Sequence, residues 1–303
     1  MKKAYLNLLK FIIGIGIFIL LFYKVGAVQI GKLLIQFNFW YLPIILLTLI
    51  TTLFLQALNI KILLNKIHKI NFLKLFKYYL LSWSFGLFIP GKIGQFSIVA
   101  LFKKNNINFG YSTAIILLDK IITLATLSIL ALIGFAFFFS FKQTIIIFLM
   151  LVIIGIIGLF TLHSTGRKLI KKYILRKYAH KFQGFAKTLR FYITKCKKQI
   201  ILNLFFTFIK WLVSAAVIYY IFMSFNYNIN FWIVFLITPM GTLSSFIPIS
   251  LSGLGVREST VAFVYNLISV DAITVVSVYI VSLIINYILA LVCISFFLEE
   301  FNN

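Results

Sequence analysis

Two adjacent charged pairs, Asp119-Lys120 and Arg257-Glu258, sit inside apolar runs. An ionisable side chain at membrane depth is expensive, and one kept there is a functional candidate by default. Arg257 is the strongest candidate, because a guanidinium can hold a phosphate through two parallel hydrogen bonds. It belongs to FIPISLSGLGVRE, Phe246 to Glu258, where a proline, serines and glycines interrupt the apolar C-terminal third. An echo, FIPGKIGQ, runs from Phe88 to Gln95 and carries Lys92. A helix starting just past each break would aim free N–H groups and the positive end of its dipole into the membrane interior. Lys92 and Gln95 at one break, Lys120 in the span that follows it, and Ser250, Ser252 and Arg257 at the other break make a setting suited to a phosphate-like anion. Glu258 and Asp119 could balance the charge, or bind a proton or cation for coupling.

The bland reading of both pairs is interfacial residues that snorkel to water. Adjacent residues on a helix do not face one another, so each pair needs partners elsewhere. Asp271, at the expected edge of the last span, reads as a helix cap or an interfacial acid. Pro90, Gly91, Gly94, Pro248, Gly253 and Gly255 read as structural residues of the two tips, serving tight turns and close backbone approach.

These residues need elements to hold them, and composition says which kind. Of 303 residues 62% are hydrophobic and 11% charged, with a mean hydropathy of +1.08; soluble domains are about 45–50% apolar and about 25% charged. The chain is therefore a polytopic all-α membrane protein, a single membrane domain over 1–303. The net charge of +24 reads as a topology signal and an attraction to anionic lipid rather than to nucleic acid. Cys196 and Cys293 are too far apart for a metal knuckle, and His68, His163 and His180 share no ligand spacing with them. No metal, cofactor or nucleotide-binding motif is expected.

Apolar runs predict about six spans, at about 4–23, 40–60, 110–139, 143–162, 200–224 and 272–298. Between them lie two shorter broken segments. The first has arms of about 75–89 and 94–102, the second an arm of about 231–247 and a return arm to about Ile268; neither arm of the first reaches the roughly 20 residues of a full crossing. Both breaks read as re-entrant hairpins; for the first the alternative is one kinked span, and the lysines flanking both its ends favour the hairpin. Residues 163–199 hold 12 of the 29 Lys and Arg and no acid, and read as a basic cytoplasmic loop or as short helices on the membrane surface. The lysine distribution puts both termini in the cytoplasm. Each half, about 40–139 with its tip at 88–95 and about 200–298 with its tip at 246–258, reads span, hairpin, span in opposite senses. Inverted repeats of this kind bring broken helices together near the midplane, where many transporters bind substrate.

The two breaks together resemble the transmembrane domain of the lysylphosphatidylglycerol synthase/flippase family. Its first motif looks like Pro-Gly-x-x-Gly-Glu followed later by Asp-Arg; here it stands as Pro90-Gly91-Lys92-Ile93-Gly94-Gln95 and Asp119-Lys120. Its second, Pro-x-Ser-x-Gly-Gly-Leu-Gly-Val-Arg-Glu-Gly, stands as Pro248 to Ser259. Gln95 replaces the usual Glu and Lys120 the usual Arg. The resemblance implies lipid translocation without lipid synthesis, since no soluble aminoacyl-transferase domain accompanies the motifs.

The expected function is thus a flippase-like transporter, not an enzyme, moving an amphipathic phospholipid or a polyprenyl-phosphate-linked lipid between leaflets of the cell membrane. One alternative is a membrane-embedded transferase acting on lipid-linked substrates. Its need for acidic residues fits poorly with a chain of 5 acids. The others are a small-solute or ion transporter, and a non-transporting anchor for a separately encoded lipid-modifying enzyme docked on 163–199.

Overall fold

The computed structural model describes residues 27–89, 94–162, 164–169, 173, 182–246 and 253–297. The expected span at 4–23 lies outside these, as do Pro90, Gly91, Lys92, Pro248, Ser250, Ser252 and most of 163–181. Among the described residues the structure is helical, without strands. Helices α1 (Ala27–Ile35), α2 (Leu42–Leu64), α3 (Phe72–Phe88), α4 (Ser97–Lys103), α5 (Phe109–Phe138) and α6 (Phe141–Leu162) form the first part. Helices α7 (Ser164–Leu169), α8 (Phe185–Lys195), α9 (Lys197–Ser224), α10 (Phe231–Ser244), α11 (Val256–Asn266) and α12 (Ala272–Phe297) follow.

Segments Phe39–Leu64, Phe109–Phe138, Phe141–Gly158, Lys197–Ser224 and Ala272–Phe297 are long and apolar enough to cross a bilayer. They coincide with the expected spans from 40–60 onward. No residue of Phe141–Gly158 is buried; so much exposed Ile, Leu and Phe is tolerable in lipid and not in water.

Helix starts are marked by short polar side chains. Asn71, Asn108 and Asn230 accept from Leu73 N (2.9 Å), Gly110 N (2.8 Å) and Trp232 N (2.8 Å) at the heads of α3, α5 and α10. Asp271 does the same for α12, accepting from Ile273 N at 3.2 Å and Thr274 N at 3.3 Å. Each satisfies backbone donors that a helix end otherwise leaves without a partner.

At both breaks the chain doubles back on itself. After the first, Ser82 Oγ of α3 donates to the Gln95 carbonyl, and Gly94 lies so close to α3 that a Cβ there would collide with the Phe85 backbone. After the second, Gly253, at φ +82°, sits against Ser245, and a Cβ would strike that residue's backbone. A left-handed conformation at such close range is available to glycine and to little else. The two arms of each break pack together, α3 with α4 and α10 with α11.

Helices distant in sequence pack on one another. Helix α2 pairs extensively with α9, α3 packs on α12, and α10 packs on α5. Among the described residues two large apolar cores result, beside a smaller cluster of Leu127 and Leu130 of α5, Trp211 and Ala215 of α9 and Phe235 of α10. One gathers Leu53–Leu64 of α2, the buried face of α3, α4, the start of α5, and Ala290 and Cys293 of α12. The other gathers Ile45 and Leu49 of α2, the end of α9, α10, α11 and Val275–Ile285 of α12. Along α2 the membership changes between Leu49 and Leu53, and along α12 between Ile285 and Ala290. A seam therefore crosses the molecule, and both polar and apolar side chains line it.

Candidate functional site

A cavity of about 390 Å³ lies on that seam. Its wall takes Thr52 and Gln56 from α2, Tyr79 and Trp83 from α3, and Gln95 from the first break. It also takes Lys120 and Thr123 from α5, Lys210, Trp211 and Ser214 from α9, Arg257 from α11, and Ser282 and Asn286 from α12. Leu49, Leu53, Leu124, Val217, Ile218, Phe96 and Phe246 supply apolar lining. No Asp or Glu among the described residues lines it.

The cations are positioned in different ways. Arg257, on the first turn of α11, lies over the Tyr279 ring with its guanidinium carbon 5.0 Å from the centroid, a cation–π contact. Its Nε is buried without a hydrogen-bond partner among the described residues, as are Thr123 Oγ1 and Trp211 Nε1 on the same wall. Lys210, only 7% exposed, donates from Nζ to Gln56 Oε1 at 2.6 Å and lies 5.1 Å from the Trp211 ring centroid. Lys120 is more open than Lys210, its side chain 27% exposed.

Behind the wall sits a buried polar network. Gln56 turns its Nε2 to Asp119 Oδ2 at 2.8 Å, so one amide joins the carboxylate to Lys210. Asn203 Nδ2 donates to Asp119 Oδ1 at 3.2 Å and to the Asn59 carbonyl at 3.0 Å. Asn59 Nδ2 donates to Thr207 Oγ1 at 3.0 Å. Asp119, Asn59, Asn203 and Thr207 are fully buried, so the network ties α2, α5 and α9 together out of reach of water.

The sequence-derived candidates divide. Gln95, Lys120 and Arg257 converge on one cavity. Asp119 lies behind its wall and is no snorkelling residue. Its partners come from other helices, as the spacing argument required, yet Lys120 also curls its long stem back to Asp119 Oδ2, Nζ to oxygen 3.6 Å. Glu258, 1% exposed, accepts from the Gly255 backbone N–H at 2.7 Å and so caps its own helix. Gly94, Gly253 and Gly255 sit at the turns. Lys92, Ser250 and Ser252, with Pro90, Gly91 and Pro248, lie outside the described residues.

Gln56, Asn59, Asn203, Thr207 and Lys210 escaped the reading of the breaks. Their signal was periodic: Gln56 and Asn59 three apart, Asn203, Thr207 and Lys210 four and three apart, each set on one face of an otherwise apolar helix.

A direct comparison with curated proteins finds no match. The family model described as the lysylphosphatidylglycerol synthase TM region matches residues 7–293. With its apolar helices and the seam cavity they enclose, the chain is a multi-pass membrane protein and belongs to the lysylphosphatidylglycerol synthase transmembrane-region family.

Proposed function

We propose that this protein moves an amphipathic lipid with a phosphate-bearing, anionic head group between leaflets, without catalysing a reaction on it. The head group rests among Lys120, Lys210 and Arg257, while the acyl or polyprenyl chain stays in the bilayer. The observation that carries this reading is the wall of the seam cavity: Lys120, Lys210 and Arg257 with no carboxylate among the described lining residues. At an effective dielectric of about 20, one ion pair at 4 Å is worth about 4 kcal/mol, so each cation matters to an anion held there.

In this reading the two breaks are re-entrant hairpins of an inverted repeat. The reciprocal packing of α3 on α12 and α10 on α5, around the α2–α9 pair, supports it, because a two-fold exchange of equivalent arms would create those contacts. Transport would then proceed by movement of the two halves about the seam. The setting we assign is the cell membrane, with both termini cytoplasmic.

The test is leaflet translocation in proteoliposomes, using head-group-labelled zwitterionic, anionic, cationic and polyprenyl-phosphate lipids. Selective movement of a phosphate-bearing anionic lipid, lost in Arg257→Ala, is the expected result. Movement of none of them under any ion gradient would defeat the transport reading, and co-purification with a soluble transferase would put the anchor reading in its place.

A further inference from the structure

The buried network behind the cavity holds oxygen atoms that head-group binding does not use. Asn203 Nδ2 reaches both Asp119 Oδ1 (3.2 Å) and the Asn59 carbonyl (3.0 Å). Asn59 spends its own Nδ2 on Thr207 Oγ1 at 3.0 Å, which leaves Asn59 Oδ1 a buried acceptor without a hydrogen-bond partner among the described residues. Asn59 is 0% exposed, and a buried acceptor so orphaned is unfavourable. Asp119 has a related difficulty. Its ion-pair partner among the described residues is Lys120, at 3.6 Å, the same lysine that lines the cavity.

We propose that this cluster is a binding site for a monovalent alkali cation, sodium being the test case. Its ligands are Asp119 Oδ1, the backbone carbonyl and Oδ1 of Asn59, and Asn203 Oδ1 once that amide turns over, while Thr207 Oγ1, which accepts from Asn59 Nδ2 at 3.0 Å and donates to Asn203 Oδ1 at 3.5 Å, positions the two amides. A side-chain amide offers either nitrogen or oxygen to the same place, and Asn203 now fills the gap between Asp119 and Asn59 with its nitrogen. Hard cations take carboxylate, carbonyl and hydroxyl oxygens. A single carboxylate matches a single positive charge, and among the described residues no group of three or more His, Cys, Asp or Glu is arranged to hold a metal ion.

The site explains how an anionic head group could be coupled to an ion. When the head group draws Lys120 to itself, Asp119 stays buried without its counter-charge, an unfavourable state. The cation restores neutrality, so each ligand favours the other, and by linkage each raises the other's affinity by the same factor. The coupling rests on the head-group reading above; the cation site does not.

Purified protein in detergent would be titrated with NaCl against choline chloride at constant ionic strength, following Tm, in wild type, Asn59→Val and Thr207→Val. The expected result is a saturable rise in Tm with sodium in wild type, absent from both variants. Thr207→Val is nearly isosteric and serves if Asn59→Val does not fold. Affinity for a polyprenyl-phosphate lipid should rise about 10-fold or more from choline to sodium in wild type, a coupling within the ordinary range, and stay flat in the variants. Identical Tm and affinity in sodium and choline overturn the cation site, while continued lipid binding leaves the head-group reading standing. A sodium-dependent Tm with unchanged lipid affinity overturns the coupling alone. If lowering pH in choline reproduces the sodium effect, a proton occupies Asp119 and the alkali-cation assignment fails.

Discussion

Asp119 and Glu258 are each buried beside a basic neighbour in sequence, at 0% and 1% exposure. Asp119 faces across the molecule, taking hydrogen bonds from Gln56 of α2 and Asn203 of α9. Glu258 turns back along its own helix to the Gly255 N–H. One carboxylate therefore organises three helices around the cavity, while the other fixes where α11 begins and leaves Arg257 facing the cavity. Paired charges in an apolar sequence announce a place of interest without saying which member does what; the partner's element decides that.

The contrast can be tested by removing each carboxylate. The largest effect belongs to Asp119→Ala, which takes the acceptor from Gln56 Nε2, one of two acceptors from Asn203 Nδ2, and the counter-charge from Lys120; a loss of about 3–5 kcal/mol is expected for breaking a buried charged pair, read as unfolding in detergent. Amide substitutions sharpen the comparison. Asp119→Asn sets an NH2 against one of two donors, and turning Gln56 over to accommodate it would point Nε2 at the Lys210 ammonium. A cost of about 1–3 kcal/mol follows. Glu258→Gln keeps an oxygen for Gly255 N–H, since glutamine also serves at this position of a helix start, so its cost should stay under about 1 kcal/mol. Equal damage from the two amide variants would break the distinction. Outside the seam, Asn71→Ala removes a cap from α3 and should cost about 1 kcal/mol with no change in lipid binding.

Much of this architecture was legible in the sequence, because lipid imposes a simple rule on it. Long apolar runs give the helices, and the Phe-Ile-Pro breaks with their glycines mark where α3 and α10 end. The asparagines at 71, 108 and 230 announce helix starts by their chemistry. Gln95, Lys120 and Arg257 were conspicuous because they stand at or near motif residues. Lys210 was not: it lies in an aromatic and aliphatic run of α9, and its significance comes from Gln56, 154 residues away in sequence. The same is true of Asn203 and Asn59, 144 apart. Local pattern shows that a polar face exists on a membrane helix, but which second helix it meets is a matter of tertiary packing. Glu258 illustrates the opposite error, since a conspicuous charge can be consumed by local backbone needs.

The central claim is that the seam cavity holds an anionic head group through cations contributed by separate helices. Its most direct test is equilibrium binding of a polyprenyl-phosphate lipid and a zwitterionic lipid to purified wild type, Lys210→Met and Arg257→Met, with Tm recorded alongside. The account predicts that each substitution weakens the phosphate lipid about 10-fold or more, the equivalent of 1.4 kcal/mol, leaves the zwitterionic lipid little changed, and preserves a cooperative thermal transition. Undiminished binding of the phosphate lipid by both variants would contradict it.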